Sequence, residues 1–198
     1  MPFDINAFKT TGLPQGGARP TLFDVTMTPP PGAIPALNEF NFQCRSANLP
    51  MMNIDPIEVP YFGRKIKVKG DRTFQDWTVT ILNDEDFGVR DMMESWSNLM
   101  NTLESNLMQD AADDEAYKGT AQVNQYAKDG SLLRQYTFYG IWPSAVEAID
   151  LNWESTNQIE TFTVSLAYDY WLPGGTGAGT EAASYTGEET TSGSAITS

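Results

Sequence analysis

The feature that most constrains the fold is a change of hydrophobic period between residues 61 and 107. From 61 to 82, apolar side chains recur at every second position, which is the pattern of a half-buried β-strand. Gly70-Asp71-Arg72 interrupts the pattern, and Gly-Asp between two strand patterns is typical of a hairpin turn. The sequence therefore predicts two paired arms, residues 61–69 and 73–82, with a turn at 70–72.

The pattern then changes to steps of three and four, which draws an apolar stripe along a helix. The stripe comprises Phe87, Met92, Met93, Trp96, Leu99, Met100, Leu103 and Leu107. Asn83, Asp84 and Asp86 precede it and have side chains suited to a helix N-terminus. We predict one α-helix over about residues 86–107, with Trp77 and Trp96 in the core.

The rest of the patterned chain indicates antiparallel strands. We predict that 21–27 pairs with 39–45, that 121–128 pairs with 132–141 around Asp129-Gly130, and that 145–153 pairs with 159–171. The last of these runs has the cleanest alternation and predicts one buried and one polar face. Residues 46–60 contain repeated X-Pro steps and predict an extended arm. Its apolar residues Met51, Met52, Ile54 and Ile57 leave two interpretations open, a loop folded back on the domain or an arm that contacts a partner.

These patterns divide the chain into an N-terminal arm (1–20), a β domain with a helix (21–172) and a Gly/Ser/Thr-rich extension (173–198). Lys and Arg number 12 against 26 Asp and Glu, for a net charge of −14, which argues against a nucleic-acid-binding protein. The charge fits either simple solubility or a surface that repels a polyanion. No signal peptide and no membrane insertion are predicted.

Composition also narrows the chemistry. The chain has no His, which is the commonest catalytic base, and Cys44 alone cannot form an internal disulfide or a thiolate zinc site. The acidic run near residue 113 lacks the spacing of a calcium loop. We predict no enzyme activity, catalytic residues, metal site or cofactor. Exposed Trp and Tyr leave open a monomeric carbohydrate-binding β-sandwich.

Lys65, Lys67 and Lys69 form the densest positive feature, on the strand face opposite Ile66 and Val68. They fit a solvated face, the protection of an edge strand, or a charged seam between subunits.

Several motifs, in order along the chain, resemble the tail tube proteins of contractile-tailed, T4-like bacteriophages. They lie at residues 18–23, 42–44, 49–50, 64–80, 83–85, 125–129, 140–143 and 169–171. The long motif at 64–80 is the specific one. A Pro-rich stretch at 29–36 and the extension after Trp171 depart from the family pattern.

The resemblance implies a mainly β, antiparallel sandwich or barrel-like subunit whose strands close into a continuous pore-lining barrel in a hexameric ring. Rings would stack into a tube inside a contractile sheath, with baseplate and tail terminator proteins as partners. DNA would pass through the lumen without specific binding, in a virion assembled in the host cytoplasm. A tube protein of a related contractile injection or type VI secretion system is the alternative within this class. Candidate seam residues are Arg64, Lys65, Lys67, Lys69, Asp71, Arg72 and Asp76, and candidate contacts between rings are Met51, Met52, Ile54 and Ile57.

Overall fold

The computed structural model describes residues 4–14, 16–34, 40–41, 43–108 and 115–174. The strands are β1 (Phe23–Thr28), β2 (Cys44–Ala47), β3 (Asn53–Tyr61), β4 (Arg64–Thr73), β5 (Trp77–Leu82), β6 (Gly119–Tyr126), β7 (Leu132–Val146), β8 (Thr161–Ala167) and β9 (Tyr170–Gly174). The central helix is Gly88–Met100, and a short helical segment near the N-terminus comprises Ile5–Ala7 and Phe8–Gly12.

Strand β7 belongs to both halves of the main antiparallel sheet. Its first part pairs with β6 and β9, and its last part pairs with β8. The first half has the order β1-β6-β7-β9, and the second continues β7-β8-β5-β2. Gly140 lies between the two parts with a φ of 64°, a conformation that favours glycine.

The two halves share one core. Trp77 of β5 stacks on Phe138 of β7 at 4.4 Å between ring centroids, so the halves face each other. The central helix adds the fully buried Met92, Met93 and Trp96 to the same cluster. The expected mainly β, antiparallel fold with one substantial helix is confirmed, as is the burial of Trp77 and Trp96.

The helix is shorter than the predicted 86–107. It begins after Phe87, where Asp86 Oδ1 accepts a hydrogen bond from the Gly88 backbone N–H at 3.1 Å. After Met100 the chain becomes extended, and Leu103 and Leu107 are 85% and 67% exposed. The Asn98 side chain accepts from the Leu103 backbone N–H, and such local bonds compete with helix continuation.

The predicted hairpin around residues 70–72 is wrong. The turn lies at Phe62-Gly63, with φ values of 42° and 78°, and β4 runs on through Gly70 to Thr73. Two consecutive residues with positive φ are typical of a tight hairpin turn. Gly70 instead allows close approach at an irregularity in the ladder, because a Cβ there would overlap the carbonyl oxygen of Asp55.

The partner of β4 is the proline-containing stretch that sequence analysis treated as an extended arm. Residues 53–61 form β3, which contains Pro56 and Pro60. Each strand of a two-stranded ribbon leaves one edge unpaired, so a residue without an N–H donor is tolerated there. The loop folded back on the domain is therefore wrong, whereas the arm that contacts a partner stays a prediction.

Other pairings divide between local and distant ones. The hairpin of β6 and β7 around Asp129-Gly130 is confirmed. The predicted pairing of 145–153 with 159–171 is right only for Ala145 and Val146, which pair with β8, because residues 147–153 lie in a loop. The predicted pairing of 21–27 with 39–45 is wrong, because β1 pairs with β6 and β2 pairs with β5. Residues 35–39 and 42 lie outside the described residues, as does the extension beyond Gly174.

Candidate assembly surfaces

Strands β3 and β4 form a two-stranded antiparallel ribbon, called here the ribbon. Within the described part of the chain, no other helix or strand packs against it. Every residue of the ribbon except Gly70 is exposed. An isolated two-stranded hairpin is at best marginally stable in water, so the ribbon is a surface that a partner would stabilise.

One side of the ribbon, called here its apolar face, is hydrophobic. Ile57 lies opposite Val68, Val59 opposite Ile66, and Tyr61 opposite Arg64. All of these apolar side chains are exposed by 45% or more. At the tip Phe62 is 91% exposed, and its ring makes an edge-on contact with Tyr61 at 4.6 Å. Exposed apolar patches of this kind mark interaction sites.

The other side, called here the cationic face, carries charge. Lys65, Lys67 and Lys69 lie opposite Pro60, Glu58 and Pro56. Arg72 lies opposite Ile54 and shares this face, because the irregularity between Ile54 and Pro56 shifts the register of β4 by one residue. Lys65 Nζ lies 2.6 Å from Glu58 Oε2, whereas Lys67, Lys69 and Arg72 make no ion pair within the described residues. The alternation predicted for the lysines is present, but both faces are open to solvent.

The ribbon thus contains most of the candidate seam residues and two of the four candidate contacts between rings. Arg64, Lys65, Lys67, Lys69, Asp71 and Arg72 lie on β4, and Ile54 and Ile57 lie on β3. Met51 and Met52 immediately precede β3 and are about half exposed. Asp76 lies outside the ribbon. Its Oδ2 accepts a hydrogen bond from Ser144 Oγ at 2.7 Å. Burial, followed by the charge of Asp76, raises the pKa of Tyr168.

A second surface is the outward side of β1, β6, β7 and β9, called here the polar face. Its side chains alternate with the core residues of the same strands. The register places three rows across it: Asp24, Asn124, Gln135 and Gly174; Thr26, Gln122, Thr137 and Leu172; Thr28, Thr120, Tyr139 and Tyr170. Amide and hydroxyl groups dominate, and Asp24 is the charged member.

Local contacts order the polar face. Gln135 Nε2 donates to Gln122 Oε1 at 3.2 Å, and Tyr139 stacks on Tyr170 at 5.0 Å between centroids. Tyr126 donates its hydroxyl to Asp24 Oδ2 at 3.1 Å. Burial and this bond to Asp24 raise the pKa of Tyr126. The phenol of Tyr126 therefore keeps its proton and remains a donor to Asp24.

The four strands of the polar face end in two open edges. Within the described residues, β1 pairs only with β6, and β9 pairs only with β7. All pairings along this half are antiparallel, so β1 and β9 run in opposite directions. Open edges have free backbone donors and acceptors that can pair with another chain.

The described residues show no catalytic constellation. No group of three or more metal-ligating side chains is brought together among them. Burial raises the pKa of the Cys44 thiol to about 12, which keeps it protonated and unreactive at neutral pH. None of the helices in the described ranges has the length and apolarity needed to cross a membrane.

Sequence reasoning missed two features of the surface. Phe62-Gly63 between alternating runs was an available hairpin signal, but the prolines at 56 and 60 obscured the first strand. The loop of residues 147–160, called here the Trp153 loop, was partly assigned to a strand, yet Trp153 within it is fully exposed.

Comparisons with known proteins agree with this arrangement. A family described as phage tail tube protein matches residues 18–173. The chain is 40% identical to the tail tube protein gp19 of Enterobacteria phage T4 over 156 residues, which cover 78% of this chain and 90% of that protein. It is 28% identical to the tail tube protein of Serratia phage KSP90 over 62% of this chain and 68% of that protein.

Solved structures share the fold. A chain of the anti-feeding prophage baseplate matches with a TM-score of 0.58 at 13% identity, over 80% of this chain and 96% of that chain. A chain of the extended sheath-tube complex of an extracellular contractile injection system matches with a TM-score of 0.55 at 14% identity, over 87% and 99%. The family match covers most of the described residues, including the ribbon and the polar face. The chain belongs to the phage tail tube protein family.

Proposed function

We propose that six copies of this tail tube subunit close into a ring whose inner wall is the polar face. The observation that carries the proposal is the four-stranded half-sheet with two open, oppositely directed edges. Strand β9 of one copy would lie antiparallel to β1 of the next, so the ladder continues from copy to copy. Closure of the ring removes both edges, which are otherwise a liability in solution.

The dimensions of such a ring suit a conduit. Six copies would contribute four strands each, and strands about 4.8 Å apart, tilted by about 40°, would give a wall roughly 48 Å across. Side chains on the polar face would narrow the opening to roughly 35–40 Å. This leaves room for duplex DNA to pass.

The chemistry of the polar face suits passage without binding. Its hydroxyl and amide groups are uncharged, and Asp24 would place a ring of negative charge on the wall. Phosphate binding needs clustered Lys or Arg, which the three rows lack. The face that would line the lumen is therefore polar, with Asp24 as its charged residue.

The ribbon would supply contacts between copies. Its apolar face would be covered by a neighbouring subunit, with Arg64, Lys65, Lys67, Lys69, Asp71, Arg72 and Asp76 contributing to the charged seam. Met51, Met52, Ile54 and Ile57 would contact the adjacent ring. The N-terminal segment would add a further contact, because Ile5 and Phe8 are largely exposed.

In this proposal the stacked rings form a passive tube inside a contractile sheath in the virion tail. Baseplate and tail terminator proteins bind its two ends, and the subunits assemble in the host cytoplasm. The function lies in assembly, without catalysis, cofactor or membrane insertion.

Electron microscopy of the purified full-length protein tests the proposal. We expect hollow tubes or rings with sixfold symmetry, and a cryo-EM map in which β1 and β9 of adjacent copies pair. A persistent monomer, on its own and with a phage baseplate, would refute it.

A further inference from the structure

We propose that the cationic face of the ribbon docks on the Trp153 loop of a second copy of this chain. The inference rests on the proposed function, because it names the surface that receives one face of the ribbon. Both surfaces are exposed and they have opposite charge; within the described residues, no ion pair joins either of them to another part of the chain.

The ribbon concentrates positive charge in an acidic protein. Five of the 12 Lys and Arg residues lie between Asn53 and Thr73, although the chain carries a net charge of −14. On the cationic face, Lys67, Lys69 and Arg72 make no ion pair within the described residues. Pro56 and Pro60 lie among the cations and offer flat apolar surface.

The Trp153 loop is the complementary surface. Residues 147–160 contain Glu147, Asp150, Glu154 and Glu160 and have no Lys or Arg. None of these acids makes an ion pair within the described part of the chain; Glu160 Oε2 accepts a hydrogen bond from Asn83 Nδ2 at 3.1 Å. The loop borders a cavity of about 600 Å³. A second cavity beside it is lined by Asp84 and Glu85, which extend the acidic surface.

Trp153 makes this loop more than an acidic patch. Its side chain is 102% exposed, and Leu151 is 81% exposed. Trp is enriched among the residues that dominate interface energies. The indole can pack on a proline ring. Its face can also make a cation–π contact with a Lys or Arg side chain. The cationic face supplies both kinds of partner.

Other exposed apolar surfaces fit the ribbon less well. The N-terminal segment carries Lys9 beside Phe8, and the adjacent cavity is lined by Arg19 and Lys128, which would repel the cationic face. Among the described residues 101–108, which include Leu103 and Leu107, Glu104 is the single acid. Of the described exposed surfaces, the Trp153 loop therefore has the charge most complementary to the cationic face. Because the two surfaces differ, the contact is heterologous and propagates from copy to copy.

Charge reversal tests the pairing. We expect Lys65→Glu/Lys67→Glu/Lys69→Glu and Asp150→Lys/Glu154→Lys each to raise the critical concentration for assembly about tenfold or more, and their combination to restore most of the loss. Asp91→Lys/Glu104→Lys changes the charge by the same amount as the Asp150/Glu154 variant, but outside both surfaces, and should leave assembly near wild type. Trp153→Ala should weaken assembly about tenfold, as for an interface hot spot. Circular dichroism of each variant confirms folding.

Zero-length carbodiimide cross-linking of tubes made from mixed ¹⁴N and ¹⁵N protein identifies the contact. We expect mixed-isotope peptides that join Lys67 or Lys69 to Asp150 or Glu154. Tubes whose ribbon lysines cross-link only to other acids would overturn this inference and leave the proposed function intact. Absence of tubes from the unmodified protein would overturn both. The pairing would also be refuted if both charge-reversal variants fold but their combination does not restore assembly.

Discussion

Val59 lies directly opposite Ile66 in the ribbon, and the two side chains are 45% and 52% exposed. This cross-strand pair is hydrophobic on a surface that the described chain leaves uncovered. In the proposed tube a neighbouring copy would cover this pair, and burial of apolar surface contributes about 25 cal/mol per Å². Replacing this pair should therefore lower the stability of the assembly and leave the folding stability of the subunit nearly unchanged.

We expect Val59→Ser/Ile66→Ser to abolish or strongly weaken tube formation while changing the melting temperature of the monomer little. The reason is that neither residue contacts the core. Electron microscopy and thermal unfolding measure the two effects. Val79→Ser is the matched control, because Val79 is fully buried in β5 and its replacement should cost roughly 2 kcal/mol or more of folding stability. Normal tubes from the double variant would contradict the role of the apolar face.

Lys67→Glu should weaken assembly without unfolding the monomer. Lys67 lies opposite Glu58, so the substitution also places like charges across the ribbon, at a cost of roughly 0.2–1 kcal/mol. Sedimentation gives the fraction assembled, and circular dichroism checks the fold. Lys67→Gln should have a smaller effect. Normal tubes of the Glu variant in negative stain would remove Lys67 from the seam.

Thr120→Lys tests the assignment of the polar face to the lumen. Thr120 is exposed on β6, and six lysines on the wall would attract phosphate. We expect tubes that retain DNA in a salt-sensitive manner and, in phage, slower genome delivery. Asn101→Lys, at the end of the central helix and away from the polar face, is the control. Equal DNA retention by the two variants would place Thr120 outside the lumen.

Gly140→Ala should destabilise the subunit more than Gly130→Ala. Both glycines have positive φ, but a Cβ at 140 would also overlap the Asp169 carboxylate, whereas position 130 is open. Asp169 Oδ2 accepts from Lys118 Nζ at 2.9 Å, so its displacement breaks an ion pair as well. We expect losses of about 2–3 kcal/mol and about 1 kcal/mol, measured by denaturant unfolding. Equal losses would show that the close approach at Gly140 is unimportant.

Cys44 should react slowly with a thiol reagent at pH 8 in the folded protein and rapidly after unfolding. Burial raises the pKa of its thiol to about 12, so the folded state keeps the proton. Above the ordinary thiol pKa of about 8.5, only the unfolded state loses a proton. Stability therefore falls as pH rises from about 8.5 towards 12 and is unaffected by Cys44 below that window. Equal reaction rates in the folded and unfolded protein would contradict this burial.

Hydrophobic period and short turns predicted the local elements. Alternation in β8 and in Trp77, Val79 and Ile81 correctly assigned the buried side chains, and Asp129-Gly130 located a hairpin. The helix was found, but its end was missed because Asn98 and Thr102 make local bonds beyond Met100. Such side-chain competition leaves no periodic signal.

The residue pattern alone could not predict which strands pair with each other. An alternating strand records which of its faces is apolar, but it does not record which strand lies beside it or whether a core covers that face. The antiparallel β class, the helix, the family and the alternation of Ile66 and Val68 with the lysines can be predicted from the residues alone. The folded chain is needed to show that β4 pairs with β3 rather than β5, that no other described helix or strand packs on the ribbon, and that Trp153 is exposed. Strand pairing joins residues far apart in the chain, and the choice among partners therefore depends on how the whole core packs.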